Sequence, residues 1–86
     1  SRSSFAARFV QATDESPLRY LTRWRMALAA QSLETELTRP IIDVALSVGY
    51  ESEASFSAAF KRQFEKPPGT WRKDYMLARN AGSKSA

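Results

Sequence analysis

The chain has 86 residues with no cysteine and no histidine, and its 13 Lys+Arg against 9 Asp+Glu give a formal net charge of +4 and a pI near 9.9. A chain of this length forms one small domain that buries only about 60% of its unfolded-chain surface, and without His or Cys it has no histidine base, thiolate nucleophile, disulfide staple or ordinary zinc site. No apolar run suits a signal peptide or a membrane span, no glycine-rich phosphate loop appears, and the basic balance favours a polyanion, so the expectation is a cytoplasmic, non-enzymatic domain without cofactor or membrane association.

Residues 1–13 read as a helix with Ser1 as its N-cap and Phe5, Phe9 and Thr13 on its buried stripe. Asp14-Glu15-Ser16-Pro17 ends it and starts the next, because Ser caps a helix and Pro suits the first helical position. That next helix, 17–37, has no Gly and no internal Pro. At about 100° per residue, Tyr20, Leu21, Trp24, Ala27 and Leu28 fall on one side, and Met26, Ala29, Ala30, Leu33 and Leu37 on nearly the opposite side. A helix on a single core keeps one apolar stripe, so this one is expected to bridge two packing units.

Thr38-Arg39-Pro40 ends the bridging helix, and 41–64 reads as two helices joined by a tight turn. Ile41, Val44, Ala45 and Val48 share one face, Gly49 closes the first helix through left-handed backbone, and Ser52 caps the second. Phe56, Phe60 and Phe64 line one stripe of that second helix, and Ala45 leaves room for a close crossing, the steric need of a helix-turn-helix. After a break that starts at Glu65, residues 68–79 read as a last helix anchored by Trp71, Tyr75 and Leu77. Residues 80–86 hold no apolar anchor and are expected to be disordered.

Shifting the chain by 51 residues places Ser1 on Ser52, Phe5 on Phe56, Phe9 on Phe60, Asp14 on Glu65, Pro17 on Pro68 and Tyr20 on Trp71. Residues 1–13 are therefore expected to be the recognition helix of a truncated first helix-turn-helix, whose leading helix would precede residue 1. The expected fold is all-α, with paired homeodomain-like helix-turn-helix elements joined by a bridging helix. At 1.5 Å per residue the bridge is about 30 Å long, close to the roughly 34 Å between successive major-groove faces. The uncovered Phe5 and Phe9 stripe predicts self-association of the chain.

Ser1-Arg2-Ser3-Ser4-Phe5 with Arg8-Phe9, Ser16-Pro17 with Tyr20-Leu21, Arg25-Met26, Ile41, Val44-Ala45, Val48-Gly49-Tyr50, Phe56, Phe60-Lys61, Pro68, Trp71 and Arg72 together resemble the DNA-binding domain of the AraC/XylS transcriptional regulators. The resemblance implies a bacterial regulator whose residues 1–79 are the AraC-type domain, usually placed beside an N-terminal sensing or dimerisation domain. It implies sequence-specific binding of double-stranded operator or promoter DNA, with helices 1–13 and 52–65 entering adjacent major grooves. RNA polymerase enters as a further partner, and the nucleoid as the place of action.

On the second recognition helix, Glu53, Ala54, Ser57, Ala58, Lys61 and the flank of Ser55 face away from the Phe stripe. Matched to the family these are base- and phosphate-facing positions, as are Arg2, Ser3, Ala6 and Ala7 on the first. Many relatives carry Arg at the positions of Ala7 and Ala58, where it reads guanine; with alanine at both, direct readout falls to Arg2, Ser3, Glu53, Ser55 and Ser57. Lys61, Arg62, Lys66, Arg72 and Lys73, with Arg23 and Arg25 on the bridge, are the phosphate candidates, and the bland reading of each is solvated basic surface. Glu53 alternatively serves as a favourable charge in a first helical turn. Arg25 alternatively pairs with a carboxylate, and Trp24 and Trp71 read as packing anchors rather than base-stacking platforms. The competing function is a helical protein–protein interaction module without DNA binding.

Overall fold

The computed structural model describes residues 15–85. Among these there are four helices and no strand: α1 (Pro17–Thr35), α2 (Ile41–Ser47), α3 (Glu53–Phe64) and α4 (Pro68–Ser85). The helix expected over 1–13, with its Phe5 and Phe9, lies outside the described residues.

Local chemistry sets each boundary. Ser16 is extended and its Oγ accepts from the Arg19 N–H at 3.2 Å, with Pro17 opening α1. That helix stops at Thr35, two residues short of the expected Leu37. Glu36 leaves helical geometry there, its N–H still donating to the Ser32 carbonyl at 2.8 Å. Arg39 then holds the turn, donating from Nη1 to Ser32 Oγ at 3.2 Å and to Glu36 Oε1 at 3.4 Å.

Helix α2 is short and closes as a Schellman motif: the Tyr50 N–H donates to the Ala45 carbonyl at 3.0 Å and the Gly49 N–H to that of Leu46 at 3.1 Å. The closure requires the left-handed backbone that Gly49 adopts at φ +92°. Ser52 then caps α3, its Oγ accepting from the Ser55 N–H at 3.1 Å. At the far end Glu65 takes the same left-handed region at φ 67° without being glycine, and its N–H donates to the Lys61 carbonyl at 2.7 Å.

The core lies where α1, α2 and α3 cross. It holds Met26, Ala29, Ala30 and Leu33 of α1, Val44 and Ala45 of α2 with Val48 beyond it, and Phe56, Ala59 and Phe60 of α3. Ala45 is fully buried, as a close helix crossing requires. Burying Phe56 and Phe60 contributes about 1.5–3 kcal/mol each. Their rings belong to a series from Tyr50 through Phe56, Phe60 and Phe64 to Trp71, with successive centroids 4.7–5.8 Å apart, edge-on for Tyr50 and Phe56 and tilted for the rest.

Three sequence expectations are corrected. Trp24 is not a packing anchor among the described residues: it is 52% exposed, whereas Trp71 packs on both Phe60 and Phe64. Leu77 is 58% exposed and is no anchor among the described residues. Helix α4 also continues to Ser85, through the stretch 80–85 expected to be disordered; Ala78, Arg79 and Ala81 are good helix formers and carry the backbone ladder onward.

Candidate nucleic-acid interface

Burying Phe56, Ala59 and Phe60 turns the other side of α3 outward. Glu53, Ala54, Ser55, Ala58, Lys61 and Arg62 are exposed there and Ser57 is half-buried. Periodicity selects six of these seven, and the structure brings all seven onto one helix. Along the ridge the chemistry is graded. Glu53 occupies the first turn, Ala54 and Ala58 the centre, and Lys61 and Arg62 the last turn. Both end charges also suit the helix dipole.

The two cations of that last turn are free to meet an anion. Neither Lys61 nor Arg62 has a carboxylate partner among the described residues. Arg23 and Lys66, by contrast, are already paired, with Glu15 at 2.6 Å and Asp74 at 2.7 Å. Ser55 Oγ lies 2.8 Å from Ser52 Oγ, so its hydroxyl supports the cap as well as facing solvent.

The remaining candidates fall elsewhere. Arg2, Ser3, Ala6 and Ala7 lie outside the described residues. Arg25 is half-buried and pairs with no carboxylate among the described residues; it lies over the α2–α3 turn and lines a shallow cavity with Trp24, Leu28, Ser47, Val48 and Gly49. Arg72 is half-buried against the end of α1, its Nε donating to the Leu33 carbonyl at 3.3 Å and its Nη2 to the Glu36 carbonyl at 3.2 Å. Next to it Trp71 Nε1 donates to Glu34 Oε2 at 3.0 Å. Sequence spacing gives no signal for these contacts, which join residues 36 to 39 positions apart.

A capped helix crossing a shorter one through a glycine turn, with its outer face open and basic at one end, defines the helix-turn-helix class. Residues 1–74 match the family described as helix-turn-helix domain. A putative AraC-like transcription regulator of Streptomyces lividans is 51% identical over 73 residues, covering 85% of this chain and 24% of the relative. The HTH-type transcriptional regulator AlkR of Acinetobacter baylyi is 49% identical over 72 residues, covering 84% of the chain and 23% of the relative. The RCS-specific HTH-type transcriptional activator RclR of Escherichia coli is 46% identical over 72 residues, covering 84% and 25%. The chain belongs to the AraC-type helix-turn-helix family. It spans about a quarter of the length of these curated relatives.

Proposed function

We propose that the chain binds double-stranded DNA sequence-specifically as the DNA-reading domain of a bacterial transcription regulator, with α3 in the major groove. The observation that carries this reading is the outward face of α3: seven positions around Ala54 and Ala58, ending in two cations without carboxylate partners among the described residues, on a helix whose inner face is fully buried at Phe56 and Phe60. Phosphate contacts from Lys61 and Arg62 position the helix. Glu53, Ser55 and Ser57 supply polar readout, and the methyl groups of Ala54 and Ala58 meet thymine methyls. The sequence repeat assigns residues 1–13, through Arg2, Ser3, Ala6 and Ala7, the same task in the adjacent groove.

With alanine at the centre of the ridge, neutralised phosphates supply most of the affinity. Log affinity then falls linearly with log salt, by about 0.9 for each phosphate contacted. Replacing Arg62 with Ala lowers that slope by about one unit and weakens all duplexes alike. Fluorescence anisotropy across a salt series measures both. Affinity that stays flat from low to physiological salt would contradict the proposal and favour a protein-binding module.

A further inference from the structure

Arg72 stands apart from the other basic candidates because its guanidinium donates to main-chain carbonyls at the end of another helix. Its two acceptors, the Leu33 and Glu36 carbonyls, belong to the last turn and cap of α1, where intrahelical N–H donors run out. The last turn of α1 contains no basic residue of its own, so Arg72 brings the cation that the negative end of the helix dipole favours. The preceding residue completes a joint. Trp71 holds Glu34 through Nε1, while its ring packs on Phe60 at 5.7 Å and Phe64 at 4.8 Å. Two consecutive residues thus tie the end of the bridging helix to the inner face of α3, directly behind Lys61 and Arg62.

We infer that Arg72 is a positioning residue for DNA recognition, holding the pose of α3 against α1 through this joint and neutralising no phosphate itself. The inference rests on the DNA-binding reading above. Reading base edges requires α3 in a fixed register, whereas nonspecific attraction requires only charge near the backbone. Loss of the joint therefore falls on discrimination, and loss of a phosphate contact falls on every duplex equally.

The test uses the 86-residue chain, a duplex selected from a random pool and a scrambled duplex of the same length, in anisotropy titrations across a salt series. Arg72→Ala is expected to lose about tenfold on the selected duplex and no more than about twofold on the scrambled one, with the salt slope unchanged. Arg72→Gln, neutral but still able to donate to carbonyls, is expected to recover most of the loss. Arg62→Ala serves as the contrast, with equal losses on both duplexes and a slope lower by about one unit. If Arg72→Ala does not fold, Arg72→Gln decides alone: a wild-type slope with a loss on the selected duplex larger than on the scrambled one supports positioning, and no loss on either overturns it. Arg72 variants that behave like Arg62→Ala overturn the inference in favour of a phosphate contact. A folded Arg72→Ala with wild-type affinity on both duplexes and only a lower melting temperature overturns it in favour of a plain structural staple. Wild-type chain that binds neither duplex at low salt removes the DNA-binding reading, and the inference with it.

Discussion

The two halves of α1 are built from similar residues and end in opposite environments. In the second half Met26, Ala29 and Leu33 are fully buried, whereas Leu18, Leu21 and Trp24 of the first half, with Leu28 one turn beyond Trp24, stay exposed on another side of the same helix. Trp24 and Met26 are two positions apart and about half a turn of helix around, so Met26 enters the core while Trp24 stays at its edge, at the rim of the cavity beside Ser47, Val48 and Gly49. Periodicity names which residues share a face. Whether that face is covered depends on a partner, and the partner of the second half is assembled from α2 and α3 by its own capping, glycine turn and aromatic packing.

The comparison can be broken most forcefully at that partner. Phe60→Ala removes a fully buried ring in contact with Phe56, Phe64 and Trp71 and is expected to cost about 3–5 kcal/mol, measured by denaturant unfolding. Within α1, Met26→Ala is expected to cost about 2–5 kcal/mol and Trp24→Ala about 0.5 kcal/mol. Equal costs at these two positions would mean that Trp24 is as much a part of the core as Met26.

Two smaller effects sharpen the origin of the partner unit. Gly49→Ala is expected to cost about 1–2 kcal/mol, and the cause is backbone: a Cβ there would meet Arg25 Cζ at 3.8 Å, an ordinary contact, while φ +92° is strained for any L side chain. Ser52→Ala removes the α3 cap and is expected to cost about 1 kcal/mol. Thermal unfolding of each variant measures the loss, and a Gly49→Ala variant as stable as wild type would show that the α2–α3 turn does not depend on the left-handed closure.

These elements were the legible ones because their signals are local. Ser16 before Pro17, Gly49 after Val48 and Ser52 four positions before Phe56 each fix a helix end within a few residues, and the Phe56, Phe60, Phe64 stripe fixes which side of α3 faces out. The outward positions from Glu53 to Lys61 follow from that stripe, and Arg62 joins them as a basic residue of the same last turn. Arg72 was not legible, since its acceptors are main-chain carbonyls at the end of another helix and carry no residue-type signature. Trp24 illustrates the same limit from the apolar side, because a large ring at helical spacing reads as an anchor until its neighbours are known. The extent of α4 escaped for a different reason: helix propensity continues the backbone through the exposed residues 76–81, where burial gives no cue.

The most direct test of the central claim follows backbone amides by NMR while duplex DNA is titrated into the labelled chain. The account predicts that, among the described residues, the largest shifts fall on the outward face of α3 from Glu53 to Arg62, and that Leu18, Leu21, Trp24 and Leu28 stay near their free positions. Shifts centred on the exposed face of α1, with α3 unmoved, would contradict it.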